Sequence, residues 1–216
     1  DYQLNRIAAP YVTWGCILLC VIVQVWMSGL TDNAAWTASY SFGFIPGVLF
    51  EGLSRPPEIG LLPAWVTLVT YQFLHGCVGH LLANMVALFV FGGLVEDRLR
   101  HWAFALFYLG SGVAAGALQG AMFPDSATVL VGASGAVAGV MGAYLALFPR
   151  NRITMLTPIF IPLRLRAWVI ILVWFGIQVF MARFGDDGSN VAWWAHIGGF
   201  VAGVMVGGWY RQRVPG

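Results

Sequence analysis

Six apolar runs, at residues 8–30, 61–95, 102–123, 129–148, 167–182 and 191–210, are separated by segments that carry most of the charge of the chain. A helix needs about 20 apolar residues to cross a hydrocarbon core about 30 Å thick. At least four of the runs reach that length without interruption, which predicts a multispanning membrane protein. The second run is too long for one crossing, because its 35 residues would extend about 52 Å as a helix. Pro63, Gln72, His75, Gly76, Gly79, His80 and Asn84 also interrupt it. The pattern therefore predicts six helices, at about 8–30, 78–96, 102–123, 132–148, 167–182 and 191–210, in one all-α membrane domain spanning residues 1–216. Residues 31–77 are left as a long first loop. Its stretch FGFIPGVLFEGL is too apolar for a solvated linker and too short to span, so a partly membrane-inserted segment is expected. Residues 61–74 are placed in or near the interface.

Composition agrees. Only 9% of residues are charged, against about 25% in a soluble domain. Every one of the eleven basic residues is an arginine, and their placement is informative. Arg6, Arg98, Arg100, Arg150, Arg152, Arg164, Arg166, Arg211 and Arg213 fall on one side of the six-helix scheme, and only Arg55 and Arg183 on the other. The positive-inside rule makes the first side, with both termini, cytoplasmic. The opposite side carries Asp32, Glu51, Glu58, Asp125, Asp186 and Asp187. A net charge of +2 gives no basis for a nucleic-acid partner. Cys16, Cys20 and Cys77 form no CxxC pair and read as small apolar residues. The run at 8–30 is too long for a signal-peptide core and is expected to be retained. The sequence starts at Asp1 rather than methionine, so residues preceding it are expected.

Polar groups at membrane depth are costly and usually face a bundle interior or a wet cavity. The strongest cases are Gln24, His75, His80, Asn84, Ser134, Gln178 and His196, with Thr70 and Gln119 weaker. In the six-helix scheme His75, His80 and Asn84 meet the outer end of the second helix, Ser134 that of the fourth and His196 that of the sixth. The three groups fall at similar depth. His80 and Asn84 are four apart and share a helix face. His196 heads a stripe of Gly199, Gly203 and Gly207, and Ser134 is flanked by Gly135, Ala138 and Gly139. Such small-residue faces let helices approach closely in lipid. A Ser134–His196 hydrogen bond requires that approach, since its heavy atoms must come within about 3 Å. Taken alone, a serine in a membrane helix more often bonds back to its own backbone. A metal site is not expected: His75 and His80 are five apart, off the spacing of helix-borne zinc pairs, and no carboxylate joins them. A transporter would show inverted repeats or paired intramembrane charges, and neither is found.

GASG (Gly132–Gly135), HGCVGHLLAN (His75–Asn84) and AHIGGFVAG (Ala195–Gly203) together resemble the rhomboid family of intramembrane serine proteases. LFPRNRI, after the fourth helix, looks like bacterial members, which would place the chain in a bacterial inner membrane with its site toward the extracytoplasmic side. The resemblance implies a cofactor-free Ser134–His196 dyad acting on single-pass transmembrane proteins. It also implies an oxyanion hole of the Ser134 amide, His80 and Asn84, with Gly132, His75, Gly199 and Gly203 supporting the site. The fifth helix and the FGDDGSN loop after it become gate candidates, with Gly185 and Gly188 as pivots. Trp193 and Trp194 read most simply as part of an interfacial aromatic belt. Three positions depart from the family pattern. The first loop has no Trp-Arg pair, Ala138 stands where an aromatic often follows the serine, and Tyr71 replaces an upstream histidine. Glu96 matches a structural acid expected to cap a helix or pair with arginines. Besides membrane lipids, the alternative reading adds a larger membrane assembly in which the chain is a non-catalytic, rhomboid-like scaffold.

Overall fold

The computed structural model describes residues 6–56, 59, 62–156, 162–185 and 191–213. Along the chain come α1 (Tyr11–Ser28), α2 (Asp32–Phe42), α3 (Pro46–Phe50), and α4 (Ala64–Thr70) with a 3-10 turn at Tyr71–Phe73. They are followed by α5 (Val78–Leu99), α6 (His101–Met122), α7 (Ser134–Leu147), strands β1 (Arg152–Leu156) and β2 (Pro162–Arg166), α8 (Ala167–Phe184) and α9 (Trp193–Arg213). The centre is α7, on which every residue from Gly135 to Tyr144 is buried. A helix apolar on all sides belongs inside a bundle, and α7 packs against α5, α6 and α9. The outer helices are the reverse. Helix α1 buries only Thr13 and Cys20, while Leu18, Ile22 and Val25 are exposed. Water would not tolerate so much bare apolar surface, and lipid does.

Among the described residues four helices, α1, α5, α6 and α8, are long and apolar enough to cross a membrane. Helix α7 is apolar but has only 14 residues, and α9 dilutes its 21 with five glycines, a histidine and terminal arginines. Length and composition therefore support four spans directly, and the count of six depends on where α7 and α9 sit.

One expectation is corrected here. The chain is mostly helical but not all-α, because β1 and β2 pair as an antiparallel hairpin. Its register sets Ile153 opposite Leu165, with Arg152 facing Arg166 and Thr154 facing Arg164. The alternation of charged or polar with apolar residues suits a ribbon with two unlike faces. Glu96 caps a helix as expected; the helix is the distant α1, and the side-chain ring against its carboxylate is that of His101. One carboxylate oxygen accepts the Val12 N–H at 2.9 Å; the other accepts the Thr13 N–H at 2.8 Å and the Thr13 hydroxyl at 2.7 Å. These amides are the unpaired donors of a helix N-terminus, where a negative charge is also favoured by the helix dipole. We expect Glu96→Ala to cost about 3 kcal/mol by leaving buried donors unsatisfied. Unfolding in detergent measures this; an unchanged midpoint would show that α1 docks without the carboxylate.

The segment between α1 and α5 is an organised layer. The Thr31 hydroxyl caps α2 by accepting the Ala34 N–H at 3.4 Å. Phe44 and Leu130 exchange backbone hydrogen bonds of 3.0 and 2.7 Å, and the Gly47 N–H reaches the Ser126 carbonyl at 2.9 Å. The layer is thus tied to the residues that lead into Ser134.

Candidate active site

Ser134 opens α7, so its own N–H lies among those a helix start leaves without an intrahelical acceptor. The preceding Gly132 has φ +132, a conformation that disfavours any side chain. Its N–H donates to the Tyr71 carbonyl at 2.9 Å, and the Tyr71 hydroxyl donates to the Gly112 carbonyl at 2.7 Å. Tyr71, which departs from the family pattern, thereby braces the turn before Ser134 against α6.

His196 lies in the first turn of α9, whose start is anchored by the Ala195 N–H donating to Gln119 Oε1 at 3.2 Å. Glycines remove the obstacle between α7 and α9. A Cβ on Gly199 would fall inside the Gly135 carbonyl oxygen, and one on Gly203 inside that of Gly139. A Cβ on Gly207 would stand 2.8 Å from the Ala143 backbone. The two helices meet backbone to backbone along the whole stripe. At its head, His196 Nε2 lies 2.8 Å from Ser134 Oγ.

The other expected residues gather around this pair. A Cβ on Gly132 would stand 2.6 Å from His80 Cε1, so the His80 ring covers the glycine. His75 is buried and meets His80 edge to face at 5.1 Å. Asn84 is also buried, and its amide donates to the His80 carbonyl at 3.0 Å. A primary amide has two hydrogens, so one remains for another acceptor. Cys77 is exposed, and its sulfur accepts the His80 N–H at 3.4 Å at the start of α5.

Three neighbours of His196 were not assigned to the site from sequence. Trp174 on α8 faces the ring at 5.9 Å with planes 38° apart, supplying the aromatic that Ala138 does not. Trp193 approaches edge-on at 6.1 Å, so it lines the site rather than serving only an interfacial belt. Gln178 Oε1 lies 2.7 Å from His196 Nδ1. The signal for Gln178 was its polarity within an otherwise apolar run; nothing local shows which way it points. Gly185 ends α8 in an extended conformation, whereas Gly188 and the rest of residues 186–190 lie outside the described residues.

The Rhomboid domain family model matches residues 63–213, a range that contains all of these site residues. Among curated proteins, rhomboid-related protein 2 of Mus musculus is 34% identical over 163 residues, covering 74% of this chain and 52% of that protein. Rhomboid protein 1, mitochondrial, of Saccharomyces cerevisiae is 32% identical over 158 residues, covering 68% of this chain and 42% of its own length. Rhomboid-like protein 11, chloroplastic, of Arabidopsis thaliana is 42% identical over 78 residues, covering 36% of this chain and 28% of its own. This chain thus spans about half or less of the length of these relatives. All three are eukaryotic, so they lend no support to the bacterial affinity read from LFPRNRI. A family match over more than half of the chain, on a bundle whose outer helices are bare apolar surface, makes this protein an integral membrane member of the rhomboid family.

Proposed function

We propose that the chain is an intramembrane serine protease in which Ser134 is the nucleophile and His196 the general base. The observation that carries this reading is the 2.8 Å approach of His196 Nε2 to Ser134 Oγ across two helices. In the first step the Ser134 oxygen bonds to the scissile carbonyl carbon while its proton moves to Nε2. The carbonyl oxygen becomes an oxyanion, held by the Ser134 N–H with donors from His80 and Asn84. Collapse breaks the C–N bond, and His196 returns the proton to the leaving amine. Water, deprotonated by the same imidazole, then releases the acyl group. Each oxyanion donor is worth about 10²–10³ in rate.

The substrates are single-pass transmembrane helices. Helix α7, with 14 residues, is about 21 Å long, so with its inner end at the cytoplasmic interface Ser134 lies below the outer surface. We place six spans, α1 and α5 to α9, with both termini cytoplasmic and Ser134 toward the extracytoplasmic side. The peptide bonds of a regular helix are closed to attack by their own hydrogen bonds, so substrate must enter sideways and unwind locally. Helix α8, with an exposed apolar face, is the proposed gate.

The test is covalent labelling. An ordinary serine hydroxyl is a weak nucleophile, so a fluorophosphonate reports activation by the base. Purified protein in vesicles is expected to label at Ser134, and His196→Ala to suppress labelling about 10²-fold or more. Equal labelling of the two proteins would show that they do not act as a pair. Absence of labelling in a folded wild type would favour a scaffold instead.

A further inference from the structure

We propose that Gln178 is a positioning residue that holds His196 in the tautomer able to accept the Ser134 proton. The inference rests on the assignment of Ser134 and His196 as nucleophile and base. Helix α8 buries only Ala167, Ile171 and Gln178, while Val173, Ile177 and Phe180 are exposed. Gln178 is therefore the one polar group on the buried seam of a lipid-facing helix. A buried amide is costly unless both its ends are paired, and here both are. Nε2 donates to the Trp174 carbonyl at 3.2 Å, and Oε1 lies 2.7 Å from His196 Nδ1.

The orientation of the amide follows from its partners. The Trp174 carbonyl can only accept, so the nitrogen must face it and the oxygen must face the imidazole. That oxygen is itself only an acceptor, so Nδ1 carries the hydrogen. In a neutral ring this leaves a lone pair on Nε2, the atom 2.8 Å from Ser134 Oγ. The hydroxyl therefore donates to Nε2, as a general base requires. The same stretch of α8 supplies Trp174 against the ring face. Unlike a carboxylate, Gln178 orients the imidazole without adding charge. Because it sits on α8, outward movement of that helix releases the base from its tautomer.

Two near-isosteric variants separate orientation from packing. Gln178→Met fills a similar volume with no acceptor for Nδ1–H; Gln178→Glu keeps the acceptor and adds charge when ionised. Each is reconstituted as the full chain in vesicles with a generic transmembrane substrate, with Ser134→Ala as the blank, and followed across pH. We expect Gln178→Met to lower kcat about 10²-fold with little change in KM, and to slow fluorophosphonate labelling in parallel. Gln178→Glu should retain cleavage at high pH, with the acid limb of its pH–rate profile moved to higher pH, because a neighbouring carboxylate favours the protonated ring. Wild-type kcat and pH profile in Gln178→Met, or an unmoved acid limb in Gln178→Glu, overturns the proposal. If wild type cleaves no faster than the blank, the protease assignment fails separately. Nitrogen NMR of histidine-labelled protein still decides the role of Gln178: wild type should show Nδ1–H, Gln178→Met a tautomer mixture. The same tautomer in both would overturn it.

Discussion

Ser134→Ala is expected to abolish cleavage of a transmembrane substrate while leaving the fold in place. The substitution removes one oxygen at the start of α7 and adds nothing, in surroundings already lined by glycine and alanine. The bond lost is the one to His196 Nε2, and the turn before it stays braced by Tyr71 through the Gly132 amide. Loss of a serine nucleophile removes about 10⁴-fold or more of the rate, leaving only what binding and the oxyanion donors supply. Cleavage in vesicles and thermal unfolding of the same preparations measure both halves of the expectation. Cleavage by Ser134→Ala at the wild-type rate would sink the mechanism.

Gly199→Leu is expected to lose activity almost as completely, although Gly199 touches no substrate. The added Cβ would fall inside the carbonyl oxygen of Gly135, one residue after Ser134. Backbone cannot yield as a flexible side chain can, so α7 and α9 must separate. A displacement near 1 Å in a catalytic group costs about 10²-fold, and a leucine demands more. Gly199→Ala meets the same oxygen with its single methyl and should also lose activity, which guards against the larger variant failing to fold. Ala182, on the last turn of α8 and away from this seam, is the control, and Ala182→Leu should do much less. Folded Gly199→Leu that cleaves normally would show that the glycine stripe does not set the Ser–His distance.

The Glu96 carboxylate makes a contrasting case. Arg98 and Arg100 lie close to it in the sequence, and capping a helix or pairing with these arginines are the two expectations. Beside the local contact with His101, the carboxylate accepts hydrogen bonds from more than 80 residues back, at the start of α1. Ion pairing between neighbours is a local property; which helix end approaches a carboxylate is not.

What the sequence determined by itself was the set of long apolar helices and the polar positions that stand out on them. Length and apolarity placed α1, α5, α6 and α8, and the glycine repeat after His196 marked the face of α9 that meets α7. Glycine is informative because only a missing side chain permits that approach, whatever surrounds it. The rotation of α8 was a different matter. In water an amphipathic pattern shows which face of a helix is buried, but in a bilayer both the lipid face and the core face are apolar, so α8 carries little such pattern. Only the tertiary structure could turn Gln178 and Trp174 toward His196, set Tyr71 beneath Gly132, and pair the arginine-bearing strands into a hairpin. The first two depend on an approach between separate helices that costs chain entropy and is stabilised only once the bundle has formed, whereas the hairpin pairs near neighbours in the chain.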